Sequence, residues 1–279
     1  MIGVIVQARM NSVRLPGKVM KPLPFDSTQF LIHHIIDALL SVDLIDRVIV
    51  ATTNNSADDV LFNDLKNKYG KELYLFRGHE DDVLGRYYFA AKENNLQTVF
   101  RVTADNPFVD TQHLSDVYKK YKHNKNDYLT TSGNPLGCNV EVFNFISLEK
   151  AYKQAILPYD REHVTCYIRN NPELFDVAAF ELNNNEDIAK LRLTVDSEAD
   201  YLLMCCIFDQ LKNRQSFIGL SEIRALYKLK PWIFDINRNG FQKKQYLNKK
   251  AEMLEAVSLI KKLDMPHTLN LLNSEINLL

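Results

Sequence analysis

The chain has 279 residues, 46% of them hydrophobic and 25% charged, enough apolar material for one large α/β domain or two smaller ones. Its 34 Lys plus Arg nearly balance 35 Asp plus Glu, so no global positive field recommends nucleic acid or an anionic membrane as partner, and any anion must be bound by a local cluster. Cys138, Cys166, Cys205 and Cys206 form neither a C-x-x-C pair nor a spaced Cys/His set, and no apolar run approaches the ~18 residues that span a bilayer, so a reducing cytoplasm is expected, without zinc, disulfides, secretion or membrane insertion.

Strand-like runs alternate with helical patterns in the first half, the signature of βαβ units and a mainly parallel sheet. Ile2–Gln7 reads as the first strand. Apolar residues spaced by three and four between Phe30 and Leu40 predict a helix over about Thr28–Ser41. Arg47–Thr52 is a second, buried strand, and Ser56 reads as the N-cap of a helix reaching Tyr69. Leu73–Phe76 follows as strand, Asp82–Asn94 as helix, Thr98–Thr103 as strand and Thr111–Lys122 as helix. The second half is less regular. Tyr128–Thr131 and Cys138–Phe143, joined by Gly133-Asn134-Pro135-Leu136-Gly137, read as a hairpin or an excursion from the main sheet. Helices are expected over Ser147–Ile156 and Arg161–Arg169, an extended stretch over Phe175–Leu182 and a strand over Leu191–Val195, with Asp196-Ser197-Glu198 opening the next helix. Past about Phe217 come Lys-rich helices, Ser221–Lys228 and Lys249–Leu263, around a Lys230-Pro231-Trp232 break. The expected organisation is a catalytic domain over 1–215, with insertion elements at about 125–180, and a helical extension over 216–279.

In an open α/β sheet ligands bind at the carboxyl ends of the strands. After the first strand stand Arg9, Arg14 and Lys18, three cations among Asn11, Ser12, Pro16 and Gly17, which would repel one another unless an anion sat among them; a nucleoside triphosphate suits that place. The loop is neither Gly-x-x-x-x-Gly-Lys-Ser/Thr nor Gly-x-Gly-x-x-Gly. After the fourth strand comes Asp105 in Arg101-Val-Thr-Ala-Asp105-Asn106-Pro107, which alone is equally a turn former, and after the late strand comes Asp196, which alone is equally a helix cap. Together, two strand-end carboxylates facing a cationic loop would hold Mg²⁺ against a triphosphate. Arg77 and Arg86, in the stretch after the third strand, can reach phosphate or base, while Asp81 and Asp82 suit a helix N-terminus. Glu141, Arg161 and His163 are candidates for a hydroxylated, carboxylate-bearing acceptor, with His163 equally suited to a structural place.

The run Gln7-Ala-Arg9-Met-Asn-Ser-Val-Arg14-Leu-Pro-Gly-Lys18 resembles the N-terminal signature of the cytidylyltransferase-like family of spore-coat polysaccharide biosynthesis proteins, with CMP-Kdo and CMP-sialic acid synthetases as relatives. Further stretches match in the same order: Arg77-Gly78 with Asp82-Val-Leu-Gly-Arg86, Arg101 to Pro107, Glu141-Val-Phe143 with Arg161-Glu-His163, and Leu193-Thr-Val-Asp196. The resemblance implies a Rossmann-like nucleotidyltransferase fold with a mostly parallel sheet, a β-hairpin and helical insertion, a helical C-terminal tail, and a homodimer. It implies that Arg9, Arg14 and Lys18 contact the phosphates of CTP and that Asp105 and Asp196 hold Mg²⁺, these five carrying catalysis. It further implies that Gln7, Ala8, Ala51 and Thr52 lie at the nucleotide with Arg77 and Arg86, and that Asn106, Glu141, Arg161 and His163 meet the sugar. The activity implied is formation of a CMP-sugar, most plausibly of an acidic Kdo-like or nonulosonic sugar, with release of pyrophosphate. A nucleotide-sugar-dependent glycosyltransferase and a noncatalytic nucleotide-binding partner in polysaccharide assembly are the alternatives.

Overall fold

Strand β1 (Ile2–Gln7) runs through the middle of a seven-stranded sheet, and its residues suit a place covered on both faces: Val4 and Val6 enter one apolar cluster and Ile5 the other. The structure is a computed structural model, which describes residues 1–181, 187–212, 217–240 and 249–276. β2 (Arg47–Thr53) and β4 (Thr98–Thr103) flank β1 in parallel, and β3 (Tyr74–Gly78) pairs with the far side of β2. The chain therefore builds outward through β2 and β3, then crosses back to lay β4 on the other side of β1. That reversal makes the carboxyl ends of β1 and β4 the topological switch point of the sheet, the crevice in which open α/β sheets take ligands.

Beyond β4 the order continues β6 (Glu141–Asn144), β5 (Tyr128–Ser132), β7 (Val177–Glu181). Helices α1 (Leu31–Leu40), α2 (Asp59–Tyr69), α4 (Thr111–Asn124), α8 (Glu198–Leu211) and α9 (Leu220–Leu229) contribute to the cluster on one face. On the other face lie α3 (Val83–Glu93), α5 (Phe145–Gln154), α6 (Pro158–His163) and α7 (Cys166–Asn170). No helix among the described residues is long and apolar enough to cross a membrane, and all four cysteines are free thiols.

Several elements differ from the sequence expectation. The β5–β6 hairpin is no excursion: β6 pairs antiparallel with β4, so the hairpin widens the main sheet, and β6 is its antiparallel member among the described strands. Leu191–Val195 is not a strand. It is an extended segment fixed by a bridge between Leu136 and Arg192 and by Val195 N–H on the Asp105 carbonyl at 2.8 Å. The 161–169 helix is broken at Val164, a fully buried β-branched residue at φ 57° and ψ −63°, where Thr165 N–H closes a three-residue turn onto the His163 carbonyl. Ser56 is not the N-cap of the helix after β2: a short 3-10 turn at Ser56–Asp58, capped by Asn55, comes first, and Asp58 is the residue that opens α2. The expected end of the extended stretch at Leu182 and the junction at 215–216 lie outside the described residues.

The chain divides into two compact units, Met1–Gly240 and Phe241–Leu279. Residues 217–240, expected in the helical extension, thus belong to the first unit, because Leu220, Ile223, Leu226, Ile233 and Phe234 are buried in its core. The second unit contains α10 (Lys249–Lys262) and α11 (Pro266–Ile276), which contact each other. One helix was expected there; Asp264 at positive φ reverses the chain and Pro266 starts a second.

Candidate active site

The loop after β1 is shaped by its own backbone. Ser12 and Gly17 N–H groups both donate to the Met10 carbonyl, each at 2.9 Å, and Gly17 sits at φ 67°, the left-handed region that glycine occupies without strain. Asp58, 2% exposed, anchors the loop from below by accepting the Met10 N–H at 2.6 Å and the Thr53 hydroxyl. The return of the loop enters a 3-10 turn at Lys18–Met20, so Lys18 is carried back over the end of β4.

There Lys18 Nζ donates to Asp105 Oδ2 at 2.8 Å, to Asp196 Oδ1 at 3.0 Å and to the Val195 carbonyl at 2.7 Å. Arg14 Nη2 meets the same Asp196 Oδ1 at 2.8 Å, and Arg192 Nη2 holds Oδ2 at 2.8 Å. Burial opposes the charge on Asp196, yet Lys18, Arg14 and Arg192 outweigh it and hold its carboxyl below the ordinary 3.8. Asp105 is oriented by the Thr103 hydroxyl at 2.6 Å, which in turn accepts from the Asn106 amide at 2.8 Å. Residues separated by nearly the whole domain thus meet at the switch point.

The donor chemistry there fits the implied Mg²⁺. Two carboxylate oxygens converge on one cationic atom, a hard-oxygen pair of the kind Mg²⁺ shares with phosphate oxygens and waters. Among the described residues no group of three acidic, His or Cys side chains forms a closed cage, so the protein's share of such a site is this pair. Arg9 lies on the other side of the loop, 3.7 Å from Glu80.

The remaining expected residues divide into two groups. Ala8 N–H bonds the Ala51 carbonyl at 3.3 Å, joining the ends of β1 and β2 where buried Thr52 keeps its hydroxyl without a hydrogen-bond partner. Gln7 Oε1 accepts from Arg101 at 3.4 Å, and Arg101 pairs with Glu141 at 2.7 Å. Both Glu141 oxygens are engaged, by Arg101, by the Tyr128 hydroxyl at 2.8 Å and by the Thr165 hydroxyl at 3.2 and 3.3 Å. Burial disfavours the Glu141 charge but Arg101 keeps it below the usual glutamate range, while Arg101 itself, despite its own burial, is held more firmly protonated by Glu141. Asn106, Glu141 and Arg101 line a cavity of about 240 Å³ with Thr103, His113 and Asn139.

The other arginines face backbone. Arg77 donates to the carbonyls of Thr53 and Asn55, each at 2.8 Å, and to Asp59 at 2.6 Å. Arg86, 3% exposed, donates to the carbonyls of His79 and Glu80 at 2.6 and 2.7 Å, and burial lowers its hold on its proton. Arg161 pairs with Asp82 at 2.5 Å and lies over the Tyr152 ring, and the His163 ring is tilted by 56° against that of Tyr159 with centroids 4.4 Å apart. The acidic stretch behaves as a helix start, with Asp82 capping α3 on Gly85 N–H.

Sequence reasoning missed Asp58, Arg192 and Asp200. Asp200, fully buried, accepts Arg192 Nε at 2.8 Å and caps the start of α8 with Ser197. The capping-box pattern of Ser197 and Asp200 was a usable signal; nothing local marks Arg192, since in a strand reading it points away from its neighbours.

Arg14, Lys18 and Arg192 meet Asp105 and Asp196 at the switch point of a doubly wound sheet, where such sheets take ligands, and likeness to known proteins identifies the class as an α/β nucleotidyltransferase. Residues 3–252 match the cytidylyltransferase family, and the chain belongs to it. It is 35% identical over 242 residues to an uncharacterized protein of Methanocaldococcus jannaschii, covering 86% of this chain and 95% of that one. It is 31% identical over 230 residues to the spore coat polysaccharide biosynthesis protein SpsF of Bacillus subtilis, covering 81% and 94% respectively. Among solved structures a cytidylyltransferase from Leptospira borgpetersenii superposes with a TM-score of 0.76 at 28% identity, covering 87% of this chain and 99% of that one. The resemblance carried by the signature loop is borne out.

Proposed function

We propose that the enzyme transfers the cytidylyl group of CTP to a sugar hydroxyl and releases pyrophosphate, making a CMP-sugar for a surface polysaccharide. The acceptor oxygen forms a bond to the α-phosphorus, the bond to the β-phosphate oxygen breaks, and the hydroxyl proton is lost to solvent or a base. In such a displacement the protein positions the reactants and offsets developing charge. The observation that carries the reading is the meeting of Arg14 and Lys18 with Asp105 and Asp196 at the switch point.

Within this reading Arg9, Arg14 and Lys18 bind the triphosphate and stabilise the leaving pyrophosphate, with Lys18 giving up its contacts to the two aspartates when phosphate arrives. Asp105 and Asp196 would hold Mg²⁺, which when bound polarises phosphate oxygens. Gln7, Ala8, Ala51 and Thr52 form the floor under the nucleotide. Arg77 and Arg86 act from behind, holding the loops at 53–55 and 79–80 that border the site. The cavity beside Asn106 takes the acceptor, for which an acidic eight- or nine-carbon sugar remains the favoured class on the family resemblance. We further propose a cytoplasmic homodimer.

The test is pyrophosphate release from each NTP against a panel of acidic and neutral sugars. CTP with one acidic sugar should give stoichiometric pyrophosphate and a CMP-sugar. Turnover of a preformed nucleotide-sugar without pyrophosphate would instead assign a glycosyltransferase.

A further inference from the structure

The carboxylate at 196 is held by more than the phosphate-binding loop. Its Oδ2 accepts from Arg192 Nη2 at 2.8 Å, leaving Oδ1 as the oxygen turned toward Lys18 and Arg14. Arg192 is itself clamped: Nε and Nη2 donate to the two oxygens of Asp200 at 2.8 and 3.2 Å. Asp200 also accepts the backbone N–H groups of Asp196 and Ser197 at 3.0 and 2.9 Å, so one buried carboxylate fixes both the side-chain partner and the backbone of Asp196.

The clamp is closed from a distant part of the chain. Asn237, 3% exposed, donates through one amide nitrogen to Asp200 Oδ1 at 2.7 Å and to the Arg192 carbonyl at 3.0 Å. It follows the 3-10 turn at Pro231–Asp235, whose Ile233 and Phe234 are packed in the core. A buried amide that touches both members of an Arg–Asp pair has no need to be there for the ion pair to form. Its place fixes where that pair sits, and the pair in turn aims Asp196.

We propose that Asn237, acting through Arg192 and Asp200, is a positioning residue that presents Asp196 Oδ1 to the metal-bound triphosphate. The inference rests on the reading of Asp196 as a Mg²⁺ ligand. It makes the segment after α9 part of the site's supporting shell, and such outer partners commonly change metal affinity by about 10–100-fold when removed.

The experiment is calorimetric binding of CTP to the full-length protein with Mg²⁺ and with EDTA, for the unaltered protein, Asn237→Ala and Arg192→Lys. Lysine keeps the charge at 192 but cannot bridge two carboxylates with one planar fork. The unaltered protein should bind CTP more tightly with Mg²⁺. Both variants should lose about tenfold of that gain, keep the affinity measured in EDTA, and retain a cooperative thermal transition. If the unaltered protein shows no gain with Mg²⁺, the metal reading fails and the inference with it. If it shows the gain and both variants retain it in full, the metal reading stands and the positioning role is overturned. Equal losses with Mg²⁺ and with EDTA would likewise overturn it, because they mark a general distortion of the site.

Discussion

Truncating Glu141 separates a buried structural pair from a substrate contact. The Glu141 and Arg101 side chains are 15% and 18% exposed and 2.7 Å apart, and Glu141 is also the acceptor for Tyr128 and Thr165. Glu141→Ala leaves the buried Arg101 guanidinium without its carboxylate partner, facing the 3.4 Å contacts to Gln7. Removing one member of a buried pair costs about 3–5 kcal/mol, a large part of a domain's usual 5–15 kcal/mol. For a unit the size of Met1–Gly240 that corresponds to a fall in Tm of about 10 °C. Arg101→Met, Glu141→Leu and the double variant complete a cycle: the double variant removes both charges and keeps apolar volume, so it should lose less stability than the sum of the two single losses, with a coupling of about 2 kcal/mol or more. Urea unfolding at neutral pH, extrapolated linearly to water, measures each corner of the cycle. A loss below about 1 kcal/mol for Glu141→Ala, or additive losses in the double variant, would refute the view of this pair as the strut beneath Gln7.

Three further outcomes are expected. Asp196→Ala should lower turnover about a hundredfold or more while the protein still unfolds cooperatively, and CMP-sugar synthesis at the original rate would remove Asp196 from the metal set. Asp196, Asp200 and Glu141 all have folded-state values below the ordinary 3.8 and 4.5, so at acid pH the unfolded chain binds more protons; the stability they supply is complete above about pH 5 and falls as pH drops through those lower values. Unfolding free energy measured from pH 5 to 2 should fall more steeply for the unaltered protein than for Asp196→Asn. Gly137 stands at φ +100° with its missing Cβ position 2.8 Å from the Leu193 carbonyl oxygen, so Gly137→Ala should cost about 1–3 kcal/mol and shift the segment that carries Asp196, seen as a lower Tm together with weaker CTP binding.

The alternating first half was legible because its periods are local. Short β-branched apolar runs and three-to-four spacing mark β1 to β4 and the helices between them, and the cations of Arg9 to Lys18 follow a strand directly in the sequence. The second half was harder for a physical reason. Leu191–Val195 has a strand's composition, but its backbone bonds go to Leu136 and Asp105 rather than to a ladder. Val164 breaks a helical pattern through a positive φ that no local rule assigns to valine.

The same division runs through the site. The resemblance carried by the signature loop and by the order of the motifs after it was enough to identify an α/β nucleotidyltransferase, and the cationic loop and Asp105 share one edge because loops after parallel strands collect there whatever else the chain does. Only the tertiary structure decided which charges meet: Lys18 with both aspartates, Arg101 with Glu141, Arg161 with Asp82, and Asn237 behind Arg192. Pairings across tens to hundreds of residues depend on packing and register, and a one-dimensional pattern carries neither.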